Sequence, residues 1–286
     1  MKPAPFEYHR PASLDETFDL LDRYGDDGRI LAGGQSLVPA LNLRLASPRA
    51  IIDINRLPDL DAIRATPERL VIGALVRQDA LEHSPLVRER APLIAAAVVH
   101  VGHSAIRARG TIGGSLALAD PAAELPACAV ALDATIRVSR RGGQREVPAG
   151  RFFRGVYTTA LEPGEIVTAV TVPTAPGWRW GFDELARRQG DFALAGLAAG
   201  ARLEDGAIAD ARLVFFGVGG APVRAHGAEA VLVGRRHDPA VLATAGAALD
   251  RDLDPPGDLH GSPALRRHLA RVLLARVVGE LAEARP

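Results

Sequence analysis

The sequence predicts an α+β protein in two parts. Three observations lead to this fold class: strand-like and helix-like segments are mixed through the first part, the second part opens with three strand-like segments, and it closes with two helical ones. The segment TAPGW, at 174–178, is rich in turn-forming residues and separates the two parts. We therefore expect a first domain at 1–175 and a smaller α+β domain at 176–286.

The first elements predicted are a helix, a strand and a second helix. Ser13 and Glu16 have the spacing of a capping box ahead of an apolar run, and Gly25 is placed to end that helix. RILAGG then predicts a short buried strand that enters a loop. SLVPALNLRL follows as a helical segment that begins or kinks near Pro39.

The rest of the first domain mixes strands with helices. Strand-like runs are AIIDI at 50–54, RLVIGA at 69–74 and EIVTAVTVP at 165–173. VRQDALEHS and LVRERAPLIAAAVVHVG predict helices, the second interrupted at Pro92. DATIRVS, the turn RRGG and QREVPAG together predict a hairpin.

The second domain begins with three predicted strands, in WRWGFDELARR, ALAGLAAGARLED and IADARLVFFGVG. Two helices follow, HDPAVLATAGAALDRDL and SPALRRHLARVLLARVVGEL. Helical spacing puts Leu265, Leu269, Val272 and Leu273 on one face of the last helix and arginines around the rest, which predicts an amphipathic helix with this apolar packing face.

Charge and hydropathy exclude several classes of protein. The chain has 34 basic and 34 acidic residues, interspersed, so no net field favours nucleic acid or an anionic membrane. No uninterrupted apolar run approaches the roughly 18 residues that span a bilayer. The N-terminal MKPAPFEYHRPAS lacks the apolar core of a signal peptide, so we expect a cytoplasmic location.

The only cysteine, Cys128, excludes an intrachain disulfide framework and an iron–sulfur cluster held by several thiolates of this chain. Any such cluster must lie on a partner. The apolar context LPACAVAL predicts a packed thiol. His100 and His103 are the closest histidine pair, and their spacing favours a loop or core role over metal ligation, so no metal site is predicted.

Two glycine loops, AGGQS and TIGGS, each stand ahead of an apolar helix-like run. Consecutive glycines allow positive φ and bring another molecule close to the backbone, and successive free N–H groups there can bind an anion. Two such loops could hold the two phosphates of a pyrophosphate. The alternative is a pair of tight turns. Neither loop has the lysine of a P-loop or the GxGxxG spacing of a Rossmann fingerprint.

Acid–base or nucleophilic catalysis has little support. Asp120 and Glu124 lie four residues apart, and they share a helix face only if Pro121 occupies the first turn. No GxSxG elbow or Ser/His/Asp ordering is present. We therefore predict no catalytic residue on this chain, which is better suited to hold a ligand.

Four segments in this order carry a family resemblance: AGGQSLVPALNLRL, GHSAIRARGTIGGSLALADPAAELP, EPGEIVTAVTVP and ARRQGDFALAG. Together they resemble the FAD-binding medium subunit of the molybdenum hydroxylases, which include bacterial carbon monoxide dehydrogenase and xanthine dehydrogenase. The resemblance spans nearly the whole chain. It implies a two-subdomain FAD-binding fold of the vanillyl-alcohol oxidase type, with subdomains at about 1–57 and 58–175, followed by the smaller α+β domain.

The resemblance also implies which residues contact FAD. The first loop and the residue after it would line the pyrophosphate from one side, and the second loop from the other. Glu124 would accept hydrogen bonds from hydroxyls, while three apolar residues would lie beside the ring system. The implied cofactor-binding residues are Ala32, Gly33, Gly34, Gln35, Ser36, Leu37, Val101, Thr111, Gly113, Gly114, Ser115, Glu124, Val167 and Phe192. The family often has histidine at the position of Leu118 and asparagine at that of Ala108, which implies altered contacts around the FAD. Xanthine dehydrogenases have a lysine near the flavin at the position of Asp183, which leaves the ring electrostatics and the reduction potential open.

The implied function is electron transfer within a complex. The chain would take electrons from two [2Fe–2S] clusters on a small partner subunit and deliver them to an external acceptor, while a large partner subunit carries the molybdenum cofactor. A dimer of heterotrimers is expected. Two alternatives remain at this stage: a stand-alone FAD-dependent oxidoreductase of the same superfamily, or a non-enzymatic binding or assembly protein that has lost flavin.

Overall fold

The computed structural model describes residues 2–283 and, within them, fourteen strands and twelve α-helices. The strands are β1 (Glu7–His9), β2 (Gly28–Leu31), β3 (Ala50–Asp53), β4 (Ile63–Ala65), β5 (Arg69–Gly73), β6 (Thr135–Arg140), β7 (Gly143–Pro148), β8 (Phe153–Gly155), β9 (Thr158–Thr159), β10 (Ile166–Pro173), β11 (Trp178–Ala186), β12 (Ala193–Glu204), β13 (Ala207–Phe216) and β14 (Val223–Arg224). The helices are α1 (Leu14–Tyr24), α2 (Leu37–Asn42), α3 (Gln78–His83), α4 (Pro85–Arg90), α5 (Pro92–Val98), α6 (Ser104–Arg107), α7 (Ile112–Leu118), α8 (Glu124–Ala131), α9 (Ala149–Phe152), α10 (His226–Leu232), α11 (Pro239–Asp252) and α12 (Pro263–Glu283).

The first sheet is parallel and three-stranded, in the order β1–β3–β2. All four residues of the central strand β3 are buried, as its run of β-branched side chains predicts. The predicted caps of α1 are confirmed: the Ser13 hydroxyl accepts the N–H of Glu16 at 3.2 Å, and Gly25 ends the helix with φ of 50°. The first glycine loop follows β2 directly.

The second sheet is antiparallel, in the order β4–β5–β10–β6–β7. Its central strand β10 buries five consecutive residues at 166–170, because helices α4, α5, α7 and α8 contribute to one core with it. Cys128 of α8 is fully buried in that core, which confirms the packed thiol. β8 and β9 form a separate two-stranded sheet.

The third sheet, β11–β12–β13–β14, is antiparallel and forms one core with α10, α11 and α12. The three predicted strands and the two predicted helices are confirmed, whereas α10 was not predicted. The predicted packing face of α12 is wrong in part, because Leu265 is 40% exposed. Arg266 is buried instead, where its guanidinium donates to the carbonyl oxygens of Leu194 and Gly217, both at 2.7 Å. The buried face comprises Arg266, Ala270, Leu273, Leu274, Val277, Val278 and Leu281.

The second and third sheets are joined by polar contacts as well as by packing. The Arg212 guanidinium lies 4.3 Å from the centre of the Trp178 ring and donates to the carbonyl oxygen of Ala131 at 3.1 Å. The N–H of Gly217 donates to the carbonyl oxygen of Pro121 at 2.8 Å. These contacts hold the end of α8 and the segment just before it against β13 and the residue that follows it, so the two parts of the chain meet at a defined surface. No helix within residues 2–283 has the length and hydropathy needed to cross a membrane.

Candidate functional site

The two glycine loops lie in direct contact with each other. A Cβ atom added to Gly33 would lie 2.5 Å from the carbonyl oxygen of Arg109 and 2.8 Å from the Cα of Gly110. Both distances are far below van der Waals contact, so the first loop reaches the second only because residue 33 has no side chain. The structure therefore brings AGGQS and the residues just before TIGGS into one site.

The first loop offers a row of free donors. Gly34 has φ of 75°, which favours glycine, and its carbonyl oxygen accepts the N–H of Val38 as α2 begins. Within residues 2–283, no acceptor is recorded for the N–H groups of the four consecutive residues at 33–36. Successive unpaired N–H groups of this kind suit an anion such as a phosphate. The first loop therefore has the successive free N–H groups on which the predicted anion site depends.

The second loop differs, and the prediction that its successive amides are free is wrong. The N–H of Gly113 donates to Ala74 at 2.9 Å, and the N–H of Gly114 donates to the Thr111 hydroxyl at 3.1 Å. The N–H of Ser115 bonds the carbonyl oxygen of Thr111. The physical reason is that this loop also forms the capped start of α7, so its N–H groups already donate to acceptors within the protein.

Glycine at 113 and glycine at 114 serve different purposes. A Cβ on Gly113 would lie 2.5 Å from the Cβ of Ala74, so close packing against the residue that follows β5 requires this glycine. A Cβ on Gly114 would meet only the Thr111 hydroxyl at 2.8 Å and the Ala32 Cβ at 3.9 Å. Gly114 thus borders the first loop and leaves backbone surface open beside Ala32.

A polar network that sequence reasoning missed ties the loops together. Arg77 donates to the Asn55 side-chain oxygen at 2.6 Å and to the carbonyl oxygen of Arg109. Asn55 in turn donates to the carbonyl oxygen of Ala32 at 2.8 Å and to Asp53 at 2.6 Å. One guanidinium can hydrogen-bond to both partners at once because its N–H donors are held in fixed directions in one plane. The one signal in the sequence is the pair of polar residues Asp53 and Asn55 at the end of the strand-like run AIIDI.

The Asp53 carboxylate holds Asn55 in place. Burial opposes its ionisation, but hydrogen bonds from Tyr8 and Asn55 outweigh burial and lower the pKa of Asp53 below its ordinary value. Asp53 therefore stays charged at neutral pH and accepts both the backbone and the side-chain N–H of Asn55. The carboxylate therefore orients the Asn55 amide, which donates to the carbonyl oxygen of Ala32 in the first loop.

A cavity of about 290 Å³ opens on the first loop. Its lining combines polar residues with the apolar side chains of Val38 and Pro39 in α2. The lining residues are Leu31, Ala32, Gly33, Gly34, Gln35, Val38, Pro39, Asp53, Asn55 and Arg109. The negative charge of Asp53 is already compensated by hydrogen bonds from Tyr8 and Asn55. The free N–H groups and the Arg109 cation therefore favour an anionic ligand at the loop, in agreement with the chemistry of a pyrophosphate.

Four further predicted site residues come from different elements of the fold. Val101 follows α5 and is partly exposed, and Val167 is buried in β10. Glu124 begins α8, where burial and the charge of Asp120 raise its pKa to about 7. Phe192, in the β11–β12 loop, is 70% exposed, which leaves its ring free to lie against a bound group.

The residues that depart from the family pattern have distinct positions. Leu118 ends α7 and is partly exposed, and Ala108 is exposed at the end of α6. Asp183 pairs with Arg276 of α12, on the side of β11 away from the second sheet. Asp120 precedes α8 rather than lying on it, so Asp120 and Glu124 do not share a helix.

Two family models together match nearly the whole chain. The FAD binding domain in molybdopterin dehydrogenase matches residues 4–175, and the CO dehydrogenase flavoprotein C-terminal domain matches residues 180–281. Among curated proteins, the chain is 39% identical over 289 residues to the 6-hydroxypseudooxynicotine dehydrogenase complex subunit alpha of Paenarthrobacter nicotinovorans, covering 100% of this chain and 98% of that protein. It is 36% identical over 279 residues to the carbon monoxide dehydrogenase medium chain of Hydrogenophaga pseudoflava, covering 97% of each.

Solved structures agree with the sequence matches. The fold superposes on carbon monoxide dehydrogenase from Hydrogenophaga pseudoflava with a TM-score of 0.95 at 37% identity, over 98% of each chain. It superposes equally well, with a TM-score of 0.95 at 39% identity over 99% of each chain, on quinoline 2-oxidoreductase from Pseudomonas putida 86. The order of sheets and helices described above is thus the order found in these oxidoreductase chains.

Proposed function

The chain belongs to the FAD-binding subunits of the molybdenum hydroxylases, and we propose that it takes electrons from [2Fe–2S] clusters of a partner subunit and passes them to an external acceptor. Family membership makes the chain an FAD-binding oxidoreductase subunit. The placement of the cofactor rests on one observation. The N–H groups of the four consecutive residues at 33–36 are free, and they lie beside the contact of Gly33 with the second loop.

The proposed contacts of FAD follow from the donors and surfaces that the site offers. The first loop, from Ala32 to Leu37, binds the pyrophosphate through its N–H groups. The second loop contributes the hydroxyls of Thr111 and Ser115 and the open backbone at Gly114, rather than free amides. Gly113 acts indirectly, because its close packing on Ala74 sets the position of this loop.

The remaining proposed contacts concern the flavin end of the cofactor. Glu124 accepts hydrogen bonds from hydroxyls, as a carboxylate does well. Val101 and Val167 exclude water beside the ring system, and Phe192 covers it. Bound FAD supplies the reversible two-electron redox chemistry. The chain itself holds and orients the cofactor, and no residue is proposed as a nucleophile or base.

We propose two partner subunits, a small one with two [2Fe–2S] clusters and a large one with the molybdenum cofactor, assembled as a dimer of heterotrimers. The support is of two kinds. Relatives carry names such as medium chain or complex subunit, and the sole cysteine here is fully buried and thus unavailable to a cluster. We further propose the domain bounds 1–175 and 176–286, with the first domain divided at about residue 57.

Purification of the complex from its source, through an affinity tag on this chain, tests the proposal. Two further subunits should copurify, and the complex should contain FAD, molybdenum and an electron paramagnetic resonance signal from [2Fe–2S] clusters. A tagged chain that is isolated alone, loaded with FAD and reduced directly by a small substrate would instead establish a stand-alone oxidoreductase.

A further inference from the structure

A second cavity, of about 380 Å³, is not used by the proposed function. It shares no lining residue with the cavity at the first glycine loop. Its walls come from the end of α8 and the α9–β8 segment, which pack with the second sheet, and from β14 and the start of α10, which pack with the third. A cavity of this volume, at the junction of two packed units, is typical of small-molecule sites.

Arg224 lines this cavity and has hydrogen-bond donors that the protein does not use. Its Nε donates to the two carboxylate oxygens of Glu229, at 2.8 and 3.1 Å. Within residues 2–283, no acceptor is recorded for either terminal nitrogen of this guanidinium. The two terminal nitrogens lie side by side in one plane, which matches the two oxygens of a carboxylate.

Glu229 holds the Arg224 guanidinium in one direction. The Glu229 side chain is 8% exposed, accepts the N–H of Leu213 at 2.8 Å and lies 3.2 Å from Nδ1 of His226. Because Glu229 belongs to α10 and Leu213 to β13, the carboxylate is anchored between a helix and a strand. An arginine that is fixed in this way loses little side-chain entropy when it binds a ligand.

Among the described arginines and carboxylates around the cavity, one cation has no partner. Glu229 balances the charge of Arg224. Asp133 is paired with Arg212, whose Nη2 lies 2.8 Å from the Asp133 Oδ2. Arg151 lines the cavity and is exposed, and within residues 2–283 it forms no ion pair. A ligand with a single negative charge therefore complements the cavity, whereas a dianion would exceed its positive charge.

Apolar side chains complete the lining. They are Val130 of α8, Phe153 of β8 and Pro222 just before β14. Side chains of this kind bind the apolar part of a ligand, while a small number of polar groups fix its orientation. The cavity thus combines the features that suit a carboxylate attached to an apolar group.

We propose that this cavity binds a small carboxylate with one negative charge and an apolar body, which pairs with the terminal nitrogens of Arg224 and balances the charge of Arg151. The apolar body lies against Val130, Phe153 and Pro222. Because the ligand contacts elements of both the second and the third sheet, its binding stabilises their junction and raises the melting temperature. The cavity contains none of the residues proposed to contact FAD, so the two proposals succeed or fail separately.

Calorimetric titration of the full-length chain with benzoate tests the site. Benzoate joins one carboxylate to an apolar ring, and it should bind with a Kd of about 1 mM or lower whether or not FAD is present. Benzamide has nearly the same shape without the charge, and inorganic phosphate has charge without the ring. The Kd of each should be higher by about tenfold or more, because each satisfies only the apolar or only the charged part of the lining.

Two variants show whether benzoate binds in this cavity. Arg224→Lys keeps a cation beside Glu229 but lacks the planar pair of donors, so the Kd for benzoate should rise about tenfold. Arg151→Gln removes an exposed charge without disturbing the fold and should raise the Kd about threefold. Arg154→Gln, at an exposed arginine outside the cavity lining, is the matched control and should leave the Kd unchanged. Absence of benzoate binding, benzamide or phosphate bound as tightly as benzoate, or the same Kd in all three variants overturns the proposal.

Discussion

Gly33 lies so close to Arg109 that a Cβ on the glycine would come within 2.5 Å of the arginine carbonyl oxygen. This contact joins two segments separated by 75 residues and makes one site from two loops. The first loop supplies the free N–H groups, and the second supplies a surface held by the capped start of α7. The two loops differ in what they offer because the N–H groups of the first are free, whereas those of the second already donate to acceptors within the protein.

Replacing Gly33 with alanine should force the loops apart. Overpacking of this kind costs about 1 to 3 kcal/mol, and the displaced amides should weaken FAD binding at least tenfold. Thermal unfolding and an FAD titration measure the two effects. Gly143→Ala is the matched control, because a Cβ on Gly143 meets no atom within 4 Å. FAD binding unchanged in Gly33→Ala would show that the contact between the loops is unimportant.

Gly113→Ala and Gly114→Ala should separate packing from ligand approach. The first introduces a clash with Ala74 and should lower the melting temperature strongly. The second disturbs mainly the Thr111 cap, worth about 1 kcal/mol, and should retain the fold while weakening FAD binding. Circular dichroism and flavin fluorescence report the two outcomes. Equal losses of stability in both variants would contradict the assignment of distinct purposes.

Arg77→Lys should loosen the site without removing its charge. Lysine cannot reach Asn55 and the Arg109 carbonyl together with one planar fork, and a hydrogen bond of a charged group is worth about 1.5 to 3 kcal/mol. We therefore expect FAD affinity to fall roughly tenfold or more. Arg64→Lys alters an exposed ion pair with Asp59 and is the control. Equal affinities in the two variants would exclude Arg77 as the link between the loops.

Arg145→Met should destabilise the second sheet in a pH-dependent way. Its guanidinium binds both oxygens of Glu165, whose side chain is 1% exposed, and lowers the pKa of that carboxyl. Leaving the buried carboxylate of Glu165 without its partner costs about 1 to 3 kcal/mol, because the Arg145 side chain is itself 37% exposed and its charge is partly screened by solvent. Because the folded pKa is below 4.5, the pair stabilises wild type above that pH, and the difference between the two proteins should shrink as pH falls below it.

Urea unfolding at neutral and acidic pH measures this difference. Arg202→Met removes an exposed partner of Glu204 and should change the unfolding free energy by less than about 1 kcal/mol. A deficit in Arg145→Met that stays constant down to acidic pH would show that the ionised form of Glu165 does not matter.

Local signals in the sequence were sufficient for most elements of the fold. The cap at Ser13, the break at Pro92 and the hairpin around RRGG each depend on neighbouring residues, and the structure confirms them. The packing face of α12 was misjudged because the buried Arg266 is held by carbonyls of distant strands. Periodicity alone ranks an arginine as exposed and cannot anticipate those partners.

The site was less accessible to sequence reasoning than the fold. Both glycine loops could be recognised, but whether their N–H groups are free depends on Ala74 and on the start of α7. The role of Arg77 depends on partners 22 and 32 residues away. Each of these features arises from contacts between elements, which no local pattern records.

A crystal structure of the chain with FAD tests the central claim most directly. The pyrophosphate oxygens should lie within about 3 Å of the N–H groups of Gly33, Gly34, Gln35 and Ser36, with the backbone at Gly114 on the opposite side. A pyrophosphate placed away from the first loop, with those four N–H groups bonded to water, would contradict it.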